Sequence, residues 1–138
     1  MNNYSAELFS NLTGKKIIIT GYKGYIGNEL TNQLDIKNID YIGIDKTTIS
    51  KINCLQFNLS DRKKLTEVII AEKPDYIFHT ATHSALAYKN DFLHVFQEDY
   101  SVLYNIISNF FYDTTLSEEF HENLYHVEGE EIKEFIYE

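Results

Sequence analysis

Lys15-Lys-Ile-Ile-Ile-Thr-Gly-Tyr-Lys-Gly-Tyr-Ile-Gly-Asn-Glu-Leu30 runs an apolar, β-branched segment into a glycine turn and out into a helical pattern. Ile17, Ile18 and Ile19 are uninterrupted by polar residues, which predicts a strand covered on both faces. Gly21, Gly24 and Gly27 follow three residues apart. A glycine at the strand end can take φ > 0 and reverse the chain tightly. A second lets a phosphate approach the backbone, and a third lets the new helix lie close against the strand. Ile26, Leu30 and Leu34 are spaced to form the stripe on which that helix packs against a sheet. Its N-terminus offers unpaired N–H groups and the positive end of its dipole, an arrangement suited to a diphosphate.

The second strand reads Tyr41-Ile-Gly-Ile-Asp45 and ends in a carboxylate 24 positions after Gly21. An acid there can accept hydrogen bonds from the ribose hydroxyls of an adenine dinucleotide, and it repels a 2′-phosphate. A nucleoside-triphosphatase loop would instead need Gly-Lys-Ser/Thr at the end of the turn. Gly27 is followed by Asn28 and Glu29, so that reading fails.

Strand and helix continue to alternate. Ile52 to Phe57 reads as a third strand, and Asp61 can cap a helix to about Glu72 with Leu65, Val68 and Ile69 inward. Pro74 ends that unit, and Asp75-Tyr-Ile-Phe-His79 reads as a fourth strand. Phe92, Phe96, Tyr100, Leu103, Ile107 and Phe110 then mark a long amphipathic helix with an aromatic stripe read as core. Such alternation implies a parallel sheet with ligands at the carboxyl ends of its strands.

With 138 residues and a hydrophobic fraction of 43%, the chain suffices for one core but is short for a two-half dinucleotide fold with a substrate region. The single cysteine, Cys54, excludes an intramolecular disulfide and fits a reducing compartment, read as the cytoplasm. No signal peptide or membrane span is visible. Residues 1–111 are nearly balanced in charge, at −1, whereas residues 112–138 carry nine acids against Lys133, a balance of −8. So acidic a block repels nucleic acid and anionic membranes. It reads either as a solvated helix face or tail, or as a partner-docking segment using Ile132, Phe135 and Ile136.

Four segments together resemble the extended short-chain dehydrogenase/reductases, and within them the NAD-dependent nucleotide-sugar epimerases and dehydratases. They are Ile19-Thr-Gly-Tyr-Lys-Gly-Tyr-Ile-Gly27, Tyr41-Ile-Gly-Ile-Asp45, Phe57-Asn-Leu-Ser-Asp61 and Lys73-Pro-Asp-Tyr-Ile-Phe-His-Thr-Ala81, in the family's order. The resemblance implies an α/β fold: a Rossmann-like parallel sheet with helices on both faces, truncated, followed by an acidic C-terminal helix or tail. Residues 1–111 are then an NAD(P)-binding domain and 112–138 a separate acidic segment. By the same resemblance Gly21, Lys23, Gly24, Tyr25, Ile26 and Gly27 form the pyrophosphate turn. Asp45 holds the adenosine ribose and favours NAD over NADP, while Lys46 leaves some tolerance of NADP. Asn58 and Leu59 stand beside adenine, where the family usually has Asp. Thr80, Ala81 and Thr82 pass along the cofactor toward the nicotinamide, and Ser84 resembles a position near the sugar. The long helix builds a dimer bundle in this family, which implies a homodimer; another protein partner is the reading of the acidic segment.

The departures concern catalysis. The family's Tyr-x-x-x-Lys pair, whose lysine lowers the tyrosine pKa for proton exchange, is absent, since none of the 11 tyrosines has lysine four positions later. Asn109 to Leu124 is polar and acidic where a fifth strand would be expected, and Asp99 replaces a common asparagine. The expectation is dinucleotide binding without hydride-transfer catalysis; the alternative is a non-catalytic interaction module on the same scaffold. His79 with His83, and His121 with His126, lack a carboxylate or cysteine to complete a ligand set and are read as structural or surface residues, not metal ligands. Ser84 beside His83 lacks an orienting acid and a nucleophile elbow, which argues against hydrolysis.

Overall fold

The isoleucine run forms β1 (Ile17–Thr20), and all four of its residues are buried. The structure is a computed structural model that describes residues 3–47, 51 and 53–110. Ile17 and Ile19 enter an apolar cluster with Leu12, Tyr22, Leu34, Ile39, Tyr41 and Cys54. Ile18, which alternates to the other face, is only 1% exposed. Burying an isoleucine contributes about 1.5–3 kcal/mol, so this short strand has one possible place, at the centre of a sheet.

In chain order the elements are α1 (Asn3–Leu12), β1, α2 (Tyr25–Ile36), β2 (Ile42–Asp45), β3 (Leu55–Gln56), α3 (Arg62–Glu72), β4 (Tyr76–His79), α4 (Ala85–Asn90) and α5 (Phe92–Phe110). All strand pairings are parallel, in the order β3-β2-β1-β4. This is the Rossmann-like α/β architecture expected from the alternating pattern. Thr20 is in register with Ile44 on one side and His79 on the other, so the carboxyl ends of β1, β2 and β4 lie side by side.

The chain divides into two compact units. One holds Met1–Asp61 and Ala71–Thr82, and therefore the whole sheet. In it, α2 ends on Asn38 at φ 54, with Ile39 N–H donating to Leu34 O at 2.9 Å and Asn38 N–H to Asp35 O at 3.1 Å. These bonds satisfy the last carbonyls of the helix and turn the chain into β2. After α3, Lys73 takes the same left-handed conformation, at φ 47, and the Asp75 carboxylate accepts the Lys16 N–H at 2.8 Å to start β4 beside β1.

The other unit holds Arg62–Ile70 and the chain from His83 onward. Leu65 and Ile69 of α3 are buried, as are Val95 and Ile106 of α5. Asn105, 3% exposed, accepts from the Thr66 hydroxyl and donates its amide to Arg62 O, which pins α5 to α3 by polar contacts.

Several sequence expectations change. No element is expected before Lys15, yet α1 forms and delivers Leu12, 2% exposed, to the core. The third strand shrinks to Leu55–Gln56, an edge pair with both side chains exposed. On α2 the inward face is Gly27, Thr31 and Leu34, whereas Ile26 is 67% exposed. The helix is rotated because the close approach of Gly27 to the β1 turn sets its phase.

The aromatic stripe is not the buried side of α5. Phe92 is 50% and Leu103 42% exposed, while Val95, Asn105, Ile106 and Ser108 are buried. Tyr88, Phe92, Phe96, Tyr100 and Tyr104 instead form a ladder, with successive ring centroids 5.6–6.5 Å apart. The acidic segment 112–138 and the expected absence of a fifth strand after Asn109 fall almost wholly outside the described residues. Among the described residues no helix is long and apolar enough to cross a membrane.

Candidate functional site

Where β1 ends, Gly21 adopts φ +67 and its N–H donates to Ile44 O at 2.7 Å, tying the turn to β2. A Cβ on Gly21 would stand 2.8 Å from the Ala81 Cα, so the backbone following β4 occupies the space a side chain would need. That backbone is held by Thr20 and Thr80. Thr80 N–H and its hydroxyl both donate to Thr20 O, at 3.2 and 2.6 Å, and Ala81 N–H reaches the Thr20 hydroxyl at 3.4 Å. The same hydroxyl meets His79 Nδ1 at 2.7 Å. The glycine turn and residues 80–82 are therefore one hydrogen-bonded assembly, with Thr82 on its exposed side.

Gly24 is the N-cap of α2, with extended backbone and no side-chain cap. The first-turn N–H groups of Tyr25, Ile26 and Gly27 have no intrahelical acceptor by construction. A Cβ on Gly24 would meet only the Gly21 carbonyl oxygen, at 3.2 Å, so the approach to these donors is open. Tyr25 and Ile26 are 97% and 67% exposed. The arrangement suits a diphosphate: uncapped donors, the positive end of a 12-residue helix, and a bare backbone in front of them. A concavity lined by Lys23, Gly24, Tyr25, Ile26, Asn28, Glu29 and Leu30 follows the first turns of α2, sharing the turn with the strand-end site but not Asp45 or Thr80.

Asp45 closes β2 and turns back to the glycine turn. Its Oδ2 accepts the Lys23 N–H at 3.2 Å, and its Oδ1 accepts the Thr47 N–H at 3.0 Å and hydroxyl at 2.8 Å. Partial burial pushes the carboxyl pKa up, but the Thr47 and Lys23 donors and the nearby Lys23 charge outweigh it and hold the group below its ordinary value. It is an anion at neutral pH. Lys46 is exposed, and its carbonyl takes the Gln56 amide at 3.5 Å.

Phe57 N–H donates to Asp45 O at 3.1 Å, which hangs Asn58 and half-buried Leu59 next to the end of β2. The Asn58 side-chain oxygen is taken by the N–H and hydroxyl of Ser60, each at 3.0 Å, leaving its NH₂ as the polar group not engaged there. Every residue expected at the dinucleotide site thus lies at the carboxyl ends of β1, β2, β3 or β4. Thr47 is not among the residues expected there, although its contact is local: two residues after Asp45, it turns back onto the carboxylate as in an Asx turn. His79 meets Thr20 through the parallel register of β1 and β4.

In the other unit, His83 has the orienting acid that the sequence reading denied it. Asp99 accepts from His83 N–H at 3.1 Å and meets His83 Nδ1 at 2.7 Å, while the Tyr88 hydroxyl donates to it at 2.6 Å. The other imidazole nitrogen faces Glu98 at 3.1 Å, and Glu98 also faces His94 at 3.2 Å. Ser84 is not drawn into this network; its hydroxyl caps α4 by accepting Ala87 N–H at 3.2 Å. Asp99 pushes the Tyr88 hydroxyl up to about 12. Burial raises the Asp99 pKa, but hydrogen bonds from Tyr88 and His83 bring it below the usual carboxylate value.

Residues 17–109 match the family described as NAD dependent epimerase/dehydratase. Among solved structures, the chain is similar to an epimerase from Methanothermobacter thermautotrophicus, with 22% identity over 75% of this chain and 33% of that one, at a TM-score of 0.64. An L-threonine dehydrogenase from Clostridium difficile matches with 22% identity over 70% and 33% of the two chains, at a TM-score of 0.61. A UDP-glucose 4-epimerase from Thermus thermophilus, in complex with NAD, matches with 16% identity over 68% and 33%, at a TM-score of 0.59. At such identities the likeness is one of fold. The chain spans about a third of the length of these structures.

Proposed function

The chain belongs to the NAD dependent epimerase/dehydratase family, and from that premise we propose that it binds NAD across the carboxyl ends of β1, β2 and β4. One observation carries this reading: the uncapped start of α2 at Gly24 and the Asp45 carboxylate are joined through the Lys23 N–H. In the proposed complex the main chain of Gly21, Lys23, Gly24, Tyr25, Ile26 and Gly27 holds the pyrophosphate. Asp45 takes the adenosine ribose and disfavours a 2′-phosphate, so NAD is preferred to NADP, with Lys46 as a weak counterweight. Asn58 and Leu59 flank adenine, and Thr80, Ala81 and Thr82 run beside the cofactor toward its nicotinamide.

Bound NAD supplies a centre that accepts or returns hydride; these residues bind and orient it. No tyrosine of the chain is followed by lysine four positions later. We therefore propose binding without hydride-transfer catalysis by these residues, with residues 1–111 as the binding domain and the cytoplasm as its place, a setting that the lone buried Cys54 supports.

Titration calorimetry with NAD tests the reading. Heat that disappears in both Asp45→Ala and Gly24→Val supports it; folded protein that gives no heat with NAD, NADP or ADP-ribose overturns it. The half-buried aromatic ladder of α4 and α5, with Phe92 50% exposed, favours a second reading, a homodimer or another protein partner seated on α5. The interaction-module alternative rests on residues 112–138, outside those described.

A further inference from the structure

A carboxylate presents about four acceptor positions, two on each oxygen. At Asp45 the Thr47 N–H and hydroxyl fill both positions of Oδ1, and the Lys23 N–H fills one of Oδ2. Among the described residues, one position on Oδ2 is left. The adenosine ribose carries two adjacent hydroxyls and can use two acceptors. The two main-chain donors are fixed by the turn and by the bend after β2. The Thr47 hydroxyl is different: it turns on a single bond, and Thr47 is exposed, so water can receive it when it leaves.

We propose that the Thr47 hydroxyl is a specificity-determining place-holder, occupying on Asp45 the acceptor position of one ribose hydroxyl and turning away when both ribose hydroxyls engage. The inference rests on the dinucleotide reading and adds a residue to it. Thr47 makes the full two-hydroxyl grip cost one hydrogen bond, while a ligand offering a single hydroxyl enters at the open Oδ2 position without displacing anything. Exchanging one such bond for water weakens binding by a factor of about three to ten.

The test measures the Kd of NAD, and of the NAD analogue lacking the adenosine 2′-hydroxyl, by titration calorimetry on the full chain. Wild type is compared with Thr47→Val, Thr47→Ala and Thr47→Ser. Thr47→Val and Thr47→Ala should bind NAD about three- to tenfold more tightly than wild type, the inverse of that exchange factor. Thr47→Ser, which keeps the hydroxyl, should match wild type, and the analogue should bind all four proteins alike. NAD affinity that is unchanged or weaker in both deletion variants overturns the proposal, as does equal tightening of the analogue. Absence of NAD binding to wild type sinks the dinucleotide reading and this proposal together, whereas NAD binding that ignores Thr47 sinks this proposal alone.

Discussion

A methyl group in place of a Gly27 hydrogen would stand 2.1 Å from the Gly21 carbonyl oxygen and 2.8 Å from the Tyr22 Cα. Both neighbours are main chain and cannot swing aside. Alanine ordinarily adds about 1 kcal/mol to a helix relative to glycine, but here the clash wins. Gly27→Ala is expected to lose about 2–3 kcal/mol, read as a lower urea midpoint by circular dichroism. Gly24→Ala meets only one oxygen, at 3.2 Å, and should cost about 1 kcal/mol or less. Equal loss in the two variants would mean that the turn does not hold the close approach described.

Thr20 is fully buried, and its hydroxyl serves His79 Nδ1 and the Ala81 N–H. Thr20→Val keeps the shape and removes those half-buried bonds, at a cost of about 1 kcal/mol. Hydrogen exchange should report where the loss falls. Amides of residues 80–82 should exchange faster than in wild type while those of β1 stay protected; uniform loosening of the sheet would contradict a local role.

Phe92, the exposed ring of the ladder, and the buried face of α5 predict different costs for similar truncations. Ile106, 5% exposed, should lose about 2–5 kcal/mol as Ile106→Ala. Phe92 is the larger side chain but is 50% exposed, and Phe92→Ala should lose about 1 kcal/mol. Urea unfolding of the two variants decides the order, and a costlier Phe92→Ala would restore the aromatic stripe to the core.

That contrast shows what a one-dimensional pattern carries and what it omits. β1 was legible because a buried parallel strand writes itself as consecutive β-branched residues, as Ile17–Ile19 does. The glycine turn was legible because each glycine answers a local steric need. On α5, Phe92, Phe96 and Tyr100 repeat at helical spacing, but their stacking on one another satisfies that spacing as well as burial does. Periodicity reports a face, not what covers it. Helix α1 is drawn in by Leu12 packing on the β1 layer, which no local window contains. Thr47 lies two residues after Asp45, and their contact is a local turn that the sequence could have shown. Asp99 beside His83 depends on where the backbone returns, since that pair lies 16 residues apart.

The Tyr88–Asp99 bond makes a pH prediction at each end of the scale. Asp99 has a folded pKa below its ordinary value of 3.8, so the stability it contributes is fully present above that value and is lost as pH falls through the depressed one. Tyr88 is raised from 10.0 to about 12, so its contribution is present below pH 10 and is lost as pH rises toward about 12. Tyr88→Phe removes the donor and returns Asp99 toward the ordinary range, since burial then meets only the His83 bonds. The stability difference between wild type and Tyr88→Phe, followed by urea midpoint, should be flat from about pH 5 to 9. It should shrink below about pH 4 and again above about pH 10. A difference that stays constant across the whole range would show that the hydroxyl acts by packing, with no hydrogen bond to the Asp99 carboxylate.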